Sequence, residues 1–236
     1  MNIEVLYEDD ALVVINKPAG LVVHSDGRTK EATLVDWIIH AYPEMQGVGE
    51  VMYRDGVAVA RPGIVHRLDR DTSGVMVLAR NQETFLHIKK QFKTHTIEKE
   101  YRAFVHRTLK NDEGVIDRAI GRSSSDFRKW SAQRGARGEM REAITEYKVL
   151  KKGKDVTYLS VIPKTGRTHQ IRVHFQAINY PVVCDKLYAQ KKECLLGFER
   201  HALHAHKITF DLPSGERKTF EAPLPEDFVH ALDILN

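Results

Sequence analysis

The sequence predicts an α+β fold with a mixed, mostly antiparallel central β-sheet flanked by helices and loops. Three observations carry that expectation. Alternating or continuous apolar runs rich in β-branched residues recur in pairs, short polar turns join the members of each pair, and helical spacing surfaces at only a few places between them. Regular strand-helix alternation, the mark of a parallel sheet, is absent. With 236 residues and 42% hydrophobic content the chain can bury a core of its own, and one continuous domain over residues 1–236 is the simplest partition.

Ile3, Val5 and Tyr7 alternate with polar positions, Glu8-Asp9-Asp10 supply a turn, and Ala11 to Ile15 form an apolar run, so the chain opens on a hairpin. Lys17-Pro18-Ala19-Gly20 breaks it. Leu34, Trp37, Ile38 and Ala41 then fall at helical spacing behind Thr33, a candidate N-cap. Residues 43–63, with four glycines and two prolines, read as a loop. Val75 to Ala79 is a buried strand by its β-branched character, and Asn81 caps a helix that presents Phe85, Ile88 and Phe92 on one face. Residues 100–106 and 115–120 return to strand-like patterns. Residues 147–150 and 156–162 form a second hairpin, and 168–178 a helix with Ile171, Phe175 and Ile178 inward. A third hairpin turns through Pro213-Ser214-Gly215-Glu216.

Composition narrows the function classes. Lys and Arg number 36 against 32 Asp and Glu, a formal charge of +4 that permits an RNA partner without requiring one. Cys184 and Cys194 are too few for a disulfide framework, and the N-terminus lacks a basic stretch followed by an apolar run, so a cytoplasmic protein is expected. No apolar stretch approaches the roughly 20 residues of a membrane span.

The densest chemistry is His66-Arg67-Leu68-Asp69-Arg70-Asp71-Thr72-Ser73-Gly74, where carboxylates, guanidiniums, an imidazole and hydroxyls crowd the approach to a buried strand. Charge in such a place is expensive unless paired or functional. Taken alone, the run also reads as a polar turn with local side-chain bonds. As a hydrolase triad, His66, Asp69 and Ser73 are too crowded and lack a nucleophile elbow. His201, His204, His206 and Cys194 fit no common zinc spacing, so no metal site is expected.

The run HRLDRDTSG resembles the signature of the RluA-type pseudouridine synthases. Four further elements match that family in order: Asn16-Lys17-Pro18-Ala19-Gly20, Lys99-Glu100-Tyr101, Gly166-Arg167-Thr168-His169-Gln170-Ile171-Arg172 and Leu203-His204-Ala205. One departure is Cys184, which stands where the family usually has a glycine before Asp185 and Tyr188 and leaves the local turn open. The resemblance covers a catalytic domain without the accessory S4 RNA-binding domain of many relatives.

The resemblance implies a cofactor-free isomerisation of uridine in structured RNA, with Asp69 as the catalytic carboxylate, acting either at C1′ or as a base on the ribose. It places Arg172 against Asp69 as the cation that keeps the carboxylate ionised, and it makes Tyr101 a flat face for the uracil. Because bases inside an A-form helix are out of reach, the target is flipped or single-stranded, and Arg67 is positioned to hold its phosphate or fill its space. Arg167 belongs to the same substrate-binding set. Residues 122–141 add Arg128, Lys129 and Arg134 to a basic run interleaved with Phe127 and Trp130, a pattern that suits phosphates and stacked bases and also suits a solvated surface. The form of the Asp69 motif points to large-subunit ribosomal RNA ahead of transfer RNA, with a monomeric enzyme. A non-catalytic RNA-binding or RNA-chaperone protein on the same fold is the alternative, and Asp69 argues against it, because a carboxylate in a phosphate-binding cleft repels the ligand.

Overall fold

The structure is a computed structural model that describes residues 1–24, 31–54, 57–59, 61–133 and 136–235. The chain divides into two compact units, the first comprising Met1–Glu98 with Lys207–Pro223 and the second Lys99–His206 with Leu224–Asn236. Every strand pairing whose register is described is antiparallel, as the paired runs of the sequence predict.

The first unit opens on the expected hairpin, β1 (Glu4–Glu8) with β2 (Leu12–Lys17). Asp9 shapes its turn, accepting from the backbone N–H groups of Ala11 and Leu12 through Oδ1. Helix α1 (Leu34–Ala41) starts where Thr33 and Asp36 form a reciprocal capping box. The stretch read as a loop contains a small hairpin, β3 (Met52–Arg54) with β4 (Val57–Val59). Strand β5 (Ser73–Ala79) then pairs with β2 in the register Leu12↔Ala79 to Lys17↔Gly74 and is buried throughout. Asn81 caps α2 (Gln82–Lys93), its side chain accepting from Thr84 N–H at 2.9 Å.

The second unit is built on β6 (Glu98–His106), β7 (Glu113–Asp117), β8 (Ile120–Arg122), β9 (Trp130–Ser131), β10 (Arg137–Arg141), β11 (Ile144–Lys152) and β12 (Val156–Pro163). Strand β12 pairs with both β6 and β11, β11 pairs with β7, and β8, β9 and β10 form a separate small sheet. The strand expected over 115–120 is therefore two strands that enter different sheets. Helix α3 (Gln170–Ala177) begins two residues later than its periodicity suggests, because His169 takes a left-handed φ of 55° at the N-cap. Strand β13 (Leu203–Asp211) starts in the second unit and ends in the first, where Lys207 to Asp211 pair with β14 (Arg217–Glu221) as the third expected hairpin. A last helix, α4 (Glu226–Ile234), was not expected from the sequence. It closes the core of the second unit by burying Phe228 and Ala231 against Phe104 and Phe198, with ring centroids 5.2–5.5 Å apart. Among the described residues no helix is long and apolar enough to cross a membrane.

Candidate active site

Arg67 and Asp69 belong to the first unit, on the segment that leads from a bridge at Ile64 into β5. Leu68 is buried between them while Arg67 is exposed and Asp69 half-exposed. A buried leucine between two polar neighbours pins the backbone and turns both polar side chains away from the core. The peptide after Asp69 folds back at once, Thr72 N–H donating to Asp69 O at 3.1 Å. His66 fixes the entry: its Nε2 accepts from Val77 N–H at 2.9 Å, and its ring stacks on Phe92 at 4.8 Å.

The exit is held by the NKPAG element. Lys17 is fully buried, and its ammonium donates to the carbonyl oxygens of Pro18, Leu21 and Arg70 at 2.8, 2.9 and 2.9 Å. Carbonyl oxygens replace the water that a buried ammonium loses, so this lysine acts as a three-way clamp. Gly20, at φ 84°, completes the seam by donating its N–H to Arg70 O, while Arg70 Nε returns a bond to Gly20 O. Two elements that lie about fifty residues apart in sequence are thereby laced on either side of the Asp69 turn. Lys17 entered the sequence reading only as part of a motif. Its burial escaped notice because lysine is almost never buried unless its ammonium is fully bonded.

Tyr101, Arg167 and Arg172 belong to the second unit. Tyr101 lies on β6 opposite Val161, half-buried, with its ring against the apolar core. Its neighbour in the motif, Lys99, donates to Thr165 O at 3.2 Å, and burial pushes its ammonium down to a pKa of about 8. Gln170 organises the turn before α3: its Oε1 accepts from Thr165 Oγ1 and Arg167 N–H, and its Nε2 donates to Ile144 O and Thr145 Oγ1. Arg167 Nε donates to Glu142 O, which leaves this arginine half-exposed on a fixed backbone.

Arg172 is only 7% exposed, so it is not a solvated helix charge. The carboxylate that its own unit offers it is Asp185, met side-on by Nε at 2.7 Å and Nη2 at 2.9 Å. Burial pushes the Asp185 carboxyl up, but the Arg172 hydrogen bonds and charge, helped by His201 and the Tyr188 N–H, outweigh it and hold the carboxyl below the usual range. The Arg172 guanidinium also lies over the Tyr188 ring at 5.1 Å, and the Tyr188 hydroxyl meets His169 Nδ1 at 2.9 Å and accepts from Trp130 N–H at 3.0 Å. Asp185 and Tyr188 are therefore members of the Arg172 network that the sequence reading did not single out, although the Cys184-Asp185-Lys186-Leu187-Tyr188 element contained them. Cys184 itself sits at φ 56°, the left-handed conformation a glycine favours, and is joined to Cys194 in a disulfide.

The basic run is not one uniform surface. Arg128 grips Asp126 through Nε and Nη2, Arg141 pairs with Glu139, and Arg122 stacks over Trp130 at 4.2 Å. Lys129 reaches Gln190 Oε1 at 3.2 Å, and Phe127 is 84% exposed. Arg134 lies outside the described residues.

Comparison with known proteins fits this arrangement. The family model described as RNA pseudouridylate synthase matches residues 11–177. The chain is similar to an uncharacterized RNA pseudouridine synthase of Aquifex aeolicus, 40% identical over 96% of this chain and 71% of that protein. It is also similar to ribosomal large subunit pseudouridine synthase D of Pseudomonas aeruginosa, 35% identical over all of this chain and 72% of that protein. Among solved structures, human RNA pseudouridylate synthase domain containing 4 superposes with a TM-score of 0.76 at 28% identity, covering 98% of this chain and 92% of that one. By the family match and these identities, the chain belongs to the RNA pseudouridylate synthases, a family of isomerases.

Proposed function

We propose that this chain converts specific uridines of large-subunit ribosomal RNA to pseudouridine, with Asp69 as the catalytic carboxylate. The observation that carries the reading is the mounting of Asp69: a half-exposed carboxylate on a turn clamped by Lys17, Gly20 and His66. A side chain held so firmly at its backbone yet left accessible is arranged for chemistry. The reaction breaks the N1–C1′ bond, turns the uracil within the site and joins C5 to C1′, while the C5 hydrogen leaves as a proton and N1 gains one. Nothing is oxidised or reduced. Asp69 attacks C1′ or removes a ribose proton, Tyr101 supports the uracil, Arg67 and Arg167 hold the substrate, and Arg172, buried and paired with Asp185, supplies fixed positive charge to that set.

Ribosomal RNA is favoured over transfer RNA by the named similarity to a large-subunit synthase. RNA is gripped outside the chemistry by Arg128, Lys129 and Arg134, with Phe127 offering an exposed ring to an unstacked base. The enzyme works as a monomer in the cytoplasm without cofactor.

The test is release of the uracil C5 hydrogen from ribosomal RNA transcripts. Asp69→Asn keeps the size and removes the charge, so it abolishes release while retaining RNA affinity. Residual turnover within about tenfold of wild type, less than general acid-base or nucleophilic catalysis contributes, would remove Asp69 from this role.

A further inference from the structure

The second unit holds a cavity of about 440 Å³ that shares Lys129, Trp130 and Tyr188 with the groups described above. Four cations line it, Arg107, Lys129, Lys191 and Lys192, together with the hydroxyls of Ser123, Ser124, Ser125 and Ser131, and among its described lining residues there is no Asp or Glu. Cations and hydroxyl donors without a carboxylate make an anion site, and a volume of this order takes a sugar-phosphate unit and not merely a small ion. Asp126, 4.0 Å from the Lys129 ammonium, is already gripped by Arg128. The positive field reaches inward as well. His106, buried on β6, is held below the usual imidazole range by burial first, and then by Lys192 and Arg107.

The walls are fixed before any ligand arrives. Tyr188 OH holds the Trp130 backbone, Lys129 spans to Gln190, and the Cys184–Cys194 disulfide closes the loop that supplies residues 187–192. Trp130 lines the cavity with Arg122 stacked over its ring at 4.2 Å. A preorganised pocket loses little freedom on binding.

We propose that this cavity is a phosphodiester subsite that holds the backbone of a bound RNA strand. The inference rests on the RNA-modifying function proposed above and adds Arg107, Lys191 and Lys192 to its RNA grip. Within the basic run Lys129 lines the cavity with residues remote in sequence, whereas Arg128 pairs with Asp126 and does not line it.

The experiment uses the full chain and a fluorescein-labelled single-stranded RNA of about 12 nucleotides, within the range of a backbone-tracking groove. Affinity is measured by anisotropy from roughly 50 to 300 mM KCl. The variant Lys191→Gln/Lys192→Gln is compared with Lys110→Gln/Lys154→Gln, which removes the same charge from exposed lysines that do not line the cavity. The cavity variant should bind about tenfold more weakly than the control, with a log-log salt slope shallower by about 1.4, or 0.7 for each lost contact. Equal affinity and slope in the two variants would overturn the proposal. Inorganic phosphate, titrated while backbone amide resonances are followed, separates the sources. Shifts at Ser123–Ser125 and Lys192 without any difference between the variants toward RNA would mark a free-phosphate site and also overturn it. Absence of C5-hydrogen release by the wild type, with the cavity effect intact, would instead remove the synthase reading and leave the subsite standing.

Discussion

Arg172 and Asp185 form a side-on ion pair, with Nε to Oδ2 at 2.7 Å and Nη2 to Oδ1 at 2.9 Å, and both side chains are almost wholly buried. Asp185 Oδ1 also accepts from the backbone N–H groups of Leu187 and Tyr188, so a single carboxylate joins helix α3 to the loop that follows it. Removing Asp185 strips two charge-assisted hydrogen bonds from a buried guanidinium.

Asp185→Ala should therefore lower unfolding free energy by about 3–5 kcal/mol in urea denaturation. The pH dependence has a definite sign. The folded carboxyl titrates below its ordinary value, so its contribution is fully present above the unfolded pKa, near 3.9, and is lost as pH falls through the folded value. Acidification below about pH 4 should narrow the gap between wild type and Asp185→Asn. A gap that stays constant to pH 2 would show that the pair does not hold the carboxyl down.

Lys17 predicts a different failure. Replacing it by Met keeps the stem but strips hydrogen bonds from three carbonyls, of Pro18, Leu21 and Arg70. Arg70 O keeps its bond from Gly20 N–H and only the bond to Leu21 O is fully buried, so Lys17→Met should lose at least the roughly 1–3 kcal/mol of one buried unsatisfied group. Loosening the Arg70 backbone should also reduce kcat for C5-hydrogen release more than it raises KM, because the neighbouring Asp69 turn loses its position. Arg, which cannot present a compact ammonium to three converging carbonyls, should not rescue it.

Local features were the legible ones. The Thr33 and Asn81 caps, the Asp9 turn and the alternation of the three hairpins act over a few residues, and each formed where the sequence placed it. The small hairpin at β3 and β4 was hidden by the glycines and prolines around it, and α4 by its plain start at Pro225, which offers no side-chain cap. Partnerships across sequence were harder to read. Nothing in helical periodicity says that Arg172 meets Asp185 thirteen residues on, or that Lys17 reaches Arg70 across fifty-three. Those bonds depend on which backbones the fold brings together, and the motif resemblance, which set Arg172 against Asp69, named neither Asp185 for Arg172 nor Arg70 for Lys17.

Lys99 predicts an alkaline effect. Its folded pKa, about 8, lies below the ordinary 10.5, so between these values the unfolded chain binds more protons. This group's contribution therefore makes stability rise with pH from about 8 to 10.5, opposite to the usual paired lysine. Lys99→Met removes the titrating group. The urea midpoint of wild type relative to Lys99→Met should climb across that window and be flat between pH 6 and about 7.5, below the folded pKa. A difference that falls with pH would mean that the ammonium is stabilised in place.

Cys184 joins backbone strain to a cross-link, and two variants separate the contributions. The disulfide closes a loop with a sequence separation of 10, for which chain entropy alone assigns about 2–3 kcal/mol. Cys184→Ala removes that constraint but keeps a Cβ at φ 56°, where an L-residue is strained. Cys184→Gly removes the constraint and relieves the strain, so it should be more stable than Cys184→Ala by about 1 kcal/mol. Under reducing conditions the order should change: with the cross-link opened in wild type as well, Cys184→Gly should equal or exceed it. Denaturation with and without reductant, alongside a free-thiol count on the native protein, tests both parts. If Ala and Gly proved equally stable, the left-handed backbone would carry no strain, and Cys184 would be explained by its sulfur alone.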